Sequence, residues 1–394
     1  MGNSILEQIK KRKFIIIFTL IYVIVSVGIV KFVINDAFLY KQTVVKVTSQ
    51  KKIGSYKQKS QNQKSEKYYT QRIKGIVQNG DLKGKKVKLV NDYSKSRVKT
   101  DKYVKGDYVF ASVSKDDNTP GTVNGMKRDY IVCIIVLIFM YCMIMVSRTK
   151  GLLFIISSAV NISILYGALE LYSRGTDILM LSYLMVIAFT CITLACISGI
   201  NRATIISIIS VLSVVTLTGI IYKIVLMYTD APDYIMMEYV TGPNDLEKLF
   251  FAEILMGCLG AVMDIAVSVS ETSCALIKQN ANLALSDFKA SMKALGQDVM
   301  GTMINIMFYS YFCSSVPMVI IQMKNKYKMN YIFRFDLPFE LTRFLTGSIS
   351  IVLTIPVTAF VAWIILYYRN KHKNSSTITV QNKELQTEDI GSEE

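Results

Sequence analysis

FFAEILMGCLGAVMDIAVSVSETSCALIKQNANLALSDFKASMKALGQDVMGTMINIMFYSYFCSSVPMVII, residues Phe250 to Ile321, decides how this chain is read. Two apolar segments, each long enough to cross a bilayer, flank a short polar connection. Both carry acidic or amide side chains where apolar ones would be cheaper. Asp264 lies near the middle of the first, and Ser268 and Glu271 follow at i+4 and i+7, on one helix face. Asp298, Thr302 and Asn305 repeat that spacing in the second. A charge at membrane depth costs from a few to roughly ten kcal/mol, so such residues face other helices, a cavity or a conduction path.

The remaining composition agrees with a membrane reading. Of 394 residues 52% are hydrophobic, with mean hydropathy +0.36, and the apolar residues come in blocks, as in a multi-pass membrane protein. The net charge of +16 is concentrated between Lys41 and Arg128. Seven cysteines all fall in apolar segments, without CxxC or Cys/His spacing, which argues against a zinc site or a disulfide framework. The single histidine, His372, leaves none for catalysis within the membrane. No phosphate loop or Ser/His pair is present, so neither an enzyme nor a bound cofactor is expected.

Taken in order, Lys10, Lys11, Arg12 and Lys13 precede an apolar run from Phe14 to Ile34, read as an uncleaved anchor with its basic end in the cytoplasm. Residues 36–128 then lie outside. Lys46 to Lys67 is polar and reads as a loose approach. From Tyr68 to about residue 118, runs of β-formers with turns at Gly80-Asp81, Lys83-Gly84 and Lys105-Gly106-Asp107 predict a small barrel-like or sandwich β-domain. Its lysines suit a solvated surface or attraction to anionic lipid or a cell-wall polymer, and nucleic acid is not expected. Seven further spans follow: Tyr130–Val146, Leu152–Tyr172, Ile178–Ile200, Ala203–Met227, Leu249–Ile277, Val299–Ile321 and Leu341–Tyr368. An acidic loop with Pro232 and Pro243 separates the fifth span from the sixth. Ala284–Leu295 suggests a short amphipathic helix at the interface, with Ser286 as its N-cap. Residues 370–394 read as a disordered tail. The expected fold is thus an α-helical integral membrane bundle of about eight transmembrane helices, with both termini cytoplasmic and a small extracellular β-domain after the first helix.

Small residues at Gly257 and Gly260, and again at Gly301, predict close helix approach, and Pro317 predicts a kink. Three roles suit the polar residues. They can hydrogen-bond across helices as glue, at about 1 kcal/mol each. They can line a path in which Asp264 binds a proton or cation. Or Asp264 and Asp298 can act as a hydrolytic pair, although simple counting puts them at different depths.

The two motifs Met256–Ser270 and Gly296–Pro317 resemble the signature region of the YibE/F-like family of bacterial membrane proteins. Gly260, Met263, Asp264, Ala266, Asp298, Met300, Gly301, Thr302, Asn305, Ser314, Ser315 and Pro317 carry the likeness. The layout, one anchor, an external domain with a Lys105-Gly106-Asp107 turn and a bundle of about seven helices over residues 129–369, is similar too. The resemblance implies architecture and a bacterial plasma-membrane location rather than a reaction. Two functions stay open: a transporter of a small solute or ion lined by the sixth and seventh spans, or a non-catalytic scaffold, receptor or assembly factor acting through its β-domain. Partners expected are the lipid bilayer, an envelope polyanion, and another membrane subunit or a second copy.

Overall fold

The computed structural model describes residues 2–59, 65–96, 100–113, 120–229, 246–280, 283–335 and 337–390. Its chain divides into two units, residues 1–151 and 152–394.

The first unit opens with α1 (Gly2–Asn35) and a 3-10 turn at Asp36–Leu39. Five strands follow: β1 (Thr43–Lys59), β2 (Ser65–Val77), β3 (Lys86–Ser94), β4 (Tyr108–Ser112) and β5 (Gly121–Met126). They close into a barrel in the order β1-β2-β3-β5-β4, a small Greek-key type in which β3 and β5 run parallel. Alternation sets the inside: Val45, Val47, Ile73, Val77, Val87, Leu89 and Val109 meet in one core with Tyr103 and Ala111. Gly75 is required there, since a Cβ would strike Val45 and sit 2.9 Å from the Lys46 carbonyl. The expected turns are real, with Gly80, Gly84 and Gly106 at φ +69°, +84° and +101°. Asp107 accepts a hydrogen bond from the Val104 amide at 2.7 Å.

Residues 43–59, read in large part as a loose approach, form the longest strand. Its start pairs with β4 (Thr43 opposite Ala111) and the rest with β2, from Val45 opposite Val77 to Lys59 opposite Ser65. Register shifts at Val47/Ser49 and Lys52/Gly54 bend it so that it serves both neighbours. Its polar outer half has little apolar surface to bury and is held by ladder hydrogen bonds, which a hydrophobicity pattern does not register.

Where the barrel meets the helices, Lys127 is 1% exposed. Its ammonium lies 2.7 Å from both Asp36 Oδ1 and Asp129 Oδ2 and also donates to the Val33 carbonyl. The Tyr40 hydroxyl donates to Asp129 at 2.7 Å. Thr19 with Tyr141, and Tyr22 to the Leu137 carbonyl, tie α1 to the first arm of α2 (Asp129–Ser173).

Seven helices among the described residues are long and apolar enough to cross a membrane, against the eight expected segments. The difference lies in α2, a 45-residue run that joins the segments Tyr130–Val146 and Leu152–Tyr172. It leaves helical geometry only at Arg148, φ 49° and ψ −122°. A Cβ on Gly151 would collide with the Met143 carbonyl, which a straight helix would hold about 12 Å away. The backbone therefore turns sharply there, and two apolar arms share one helical run.

The second unit continues with α3 (Ile178–Ser198), α4 (Arg202–Tyr228), α5 (Leu246–Gly257), α6 (Leu259–Gln279), α7 (Leu285–Lys324), α8 (Met329–Phe335) and α9 (Leu337–Ile390). Helix α6 packs on α4 and α9, and α7 on α9. Phe250, Phe251, Leu255, Val262, Ile265, Val269, Phe288, Met292 and Ile351 join in their core. The amphipathic helix expected at Ala284–Leu295 and the seventh span are one 40-residue helix. Gly296 does not interrupt it but lets Ile355 of α9 come within 2.8 Å of where a Cβ would stand. Ala284, not Ser286, takes the N-cap position, and Ser286 bonds instead to Asp287 at 3.2 Å. Pro317 lies inside α7, which runs on to Lys324. Helix α9 extends to Ile390, through most of the expected tail. The acidic loop with Pro232 and Pro243 lies outside the described residues.

Candidate functional site

Helices α5 and α6 act as one span. Around Cys258 the helical ladder persists, Cys258 N to Ile254 O at 3.3 Å and Val262 N to Cys258 O at 3.1 Å. One side of this span, with Leu255, Val262, Ile265, Ala266, Val269 and Ser273, is buried. The opposite side carries Glu253, Gly257, Gly260, Asp264, Ser268 and Glu271, all exposed except Ser268, which is half-buried. At 100° per residue these six fall within an arc of about 80°, and the 18 steps from Glu253 to Glu271 rise about 27 Å. That is close to the roughly 30 Å of a hydrocarbon core. A second polar face runs along α7, where Asp298, Gly301, Thr302 and Asn305 are exposed within an arc of about 100°.

The expected site residues thus lie on outward faces. Ser268 donates to the Asp264 carbonyl of its own helix at 2.9 Å. Among the described residues, the side chains of Asp264, Glu271, Asp298, Thr302 and Asn305 make no hydrogen bond or ion pair. Gly260 and Gly301 face open space, so the close approach expected at them is absent among the described residues. Gly257 does serve contact, since a Cβ there would collide with the Tyr311 hydroxyl of α7. Met307 fills the equivalent space over Gly347 of α9.

Interhelical glue exists, but on residues the sequence reading passed over. Ser207 of α4 meets Ser270 of α6 at 2.6 Å, and Thr218 of α4 meets Ser350 of α9 at 2.9 Å. The Ser273 hydroxyl reaches the Met292 sulfur at 3.2 Å. The signal was available: Thr204, Ser207, Val211, Val214, Thr218 and Tyr222 follow one another by three or four residues, and all are buried.

A charged cluster was also missed. The Arg343 guanidinium of α9 bridges Glu253 of α5 at 2.7 Å and Glu340 at 3.0 Å, with its carbon 5.3 Å from the Phe250 ring centroid. Arg343 is 16% exposed and Glu340 14%, whereas Glu253 is 45% exposed. Two carboxylates against one guanidinium leave an acidic excess at the head of the α5–α6 stripe. Glu340 lies three residues from Arg343, but Glu253 lies ninety away, and sequence spacing cannot pair them.

Compared with known families, residues 135–368 match the family model described as YibE/F-like protein, and residues 38–126 match that of the YibE/F family N-terminal domain. The first match alone covers more than half of the chain. No curated protein and no solved structure matches.

Proposed function

This chain belongs to the YibE/F-like family, and from that premise we propose that it is a multi-pass protein of the bacterial plasma membrane that moves a small solute or ion, as a permease rather than an enzyme. The single observation that carries this reading is the α5–α6 stripe, three carboxylates and two glycines on one exposed face along nearly a bilayer's depth. An outward carboxylate in hydrocarbon is costly, so such a face belongs against water, a translocated cation or another polar surface. Counting the two arms of α2 separately gives eight spans and returns both termini to one side, which the basic residues 10–13 assign to the cytoplasm. The barrel is then outside. Asp264 binds the proton or cation, Glu253 with Arg343 and Glu340 stands at the outer end, and Glu271 at the inner end.

The test is flux into proteoliposomes, read with pH- and cation-sensitive dyes, for wild type and Asp264→Asn. The variant is expected to lose at least ten-fold in rate while its thermal midpoint stays within about 2 °C, because the Asp264 side chain makes no bond among the described residues. Equal flux in the two proteins sinks the permease reading. The scaffold reading is favoured instead by the barrel's exposed β1 lysines Lys51, Lys52 and Lys57, which suit an envelope polyanion. It predicts that deleting residues 43–126 abolishes function while Asp264→Asn is silent in the cell.

A further inference from the structure

Between α7 and α9 lies a groove of about 710 Å³, within the roughly 300–1,000 Å³ of ordinary ligand sites. The two helices run antiparallel across it. Phe288 packs on Trp363 with ring centroids 5.2 Å apart, and Gly296 lies against Ile355. These two contacts define a mouth and a depth. At the mouth stand Lys289 and Lys293, both exposed and one helical turn apart, with Gln297 a turn further in. The depth, from Met292 past Ile355 and Pro356 to Met300, is apolar. Lys289 to Met300 is about 16 Å of rise, near the half-thickness of a hydrocarbon core.

We infer that this groove is a site for an anionic glycerophospholipid of the cytoplasmic leaflet, its phosphate held between Lys289 and Lys293 and one acyl chain lying along α7 towards Met300. The inference rests on the membrane-spanning reading above. Charge selects the occupant. Lysines at i and i+4 place two ammonium groups over one phosphate, and basic pockets between membrane helices on the cytoplasmic side take anionic headgroups. The nearest acid in sequence, Asp287, is two residues before Lys289 and so nearly opposite it on the helix. A second copy seated on the same groove would bring four lysines together and is disfavoured by like charge. Phe360, at 65% exposed, and Val352, at 46%, leave the apolar wall open to a chain arriving from the side.

The experiment is thermal unfolding of the full chain in nanodiscs of dioleoylphosphatidylcholine, alone or with 20% dioleoylphosphatidylglycerol, together with lipid co-purification by native mass spectrometry. Wild type is expected to gain several degrees from the anionic lipid and to retain it at least ten-fold over the zwitterionic one. Lys289→Gln with Lys293→Gln is expected to keep the phosphatidylcholine midpoint and lose the anionic gain. Ala359→Phe, which fills the groove with the lysines intact, is expected to lose the same gain. Equal stabilisation by the two lipids overturns the inference, as does a preference that survives either variant. A wild-type protein that oligomerises in phosphatidylcholine, and is made monomeric by Ala359→Phe, assigns the groove to a second copy and also overturns it. Failure to enter nanodiscs at all strikes the membrane reading instead.

Discussion

Lys127→Met tests whether one buried lysine holds the barrel to its helices. The ammonium has two carboxylates at 2.7 Å and is 1% exposed, while the Asp36 side chain is 10% and that of Asp129 26% exposed. Removing the cation leaves two acids facing each other without a countercharge. Breaking a buried pair in this way costs about 3–5 kcal/mol, and 3 kcal/mol is on the order of a hundred-fold in an opening equilibrium. The readout is amide hydrogen exchange in the full-length protein, resolved by peptide. Amides of β1, β2 and β4 should exchange about a hundred-fold faster. Emission from the single tryptophan, Trp363 in the other unit, should be unchanged. Replacing the whole cluster by Asp36→Asn, Lys127→Met and Asp129→Asn removes the charges together and should recover much of the loss. A change below ten-fold in the single variant, or no recovery in the triple one, would refute the claim that ion pairing rather than packing volume holds this junction.

Alkaline titration should point the same way. Burial pulls the Lys127 ammonium down, but Asp129 and Asp36 outweigh it and the net shift is upward. Burial, with Asp129, pushes the Tyr40 phenol up to about 12. Both groups have raised folded values, so their stabilisation is complete below about pH 10 and is lost as pH climbs through the folded values; barrel circular dichroism should weaken there, and less steeply in Lys127→Met. Arg343→Met leaves Glu253 and Glu340 without their guanidinium. Because Glu253 is partly solvated, the cost should fall towards about 2–3 kcal/mol rather than the full buried-pair value, read as a lower denaturant midpoint of Trp363 emission. Gly347→Val forces Met307 aside and should cost about 1–3 kcal/mol. Gly260→Ala and Gly301→Ala, which face open space, should cost no more than a few tenths; a large loss at either would show that something covers those faces in the isolated protein.

The positions of the apolar helices were legible because each one closes its own backbone hydrogen bonds, so length and apolarity decide it locally. The turns at Gly80, Gly84 and Gly106 were legible for the same kind of reason, a left-handed backbone that favours glycine. The i, i+4, i+7 spacing of Asp264, Ser268 and Glu271 placed them on one face, but periodicity says only that residues share a side, not which side is buried. Tertiary packing turned that face outward, by spending the Val262, Ile265 and Val269 face on the core with α4 and α9. It also made a strand of the polar residues 48–59, whose order comes from pairing with β2. Lys127 with Asp36, Arg343 with Glu253, and Ser207 with Ser270 are separated by 91, 90 and 63 residues. Charges and hydroxyls carry no periodic signal of a partner that far along the chain, so only the folded structure could decide which carboxylates are neutralised and which remain open on the α5–α6 stripe.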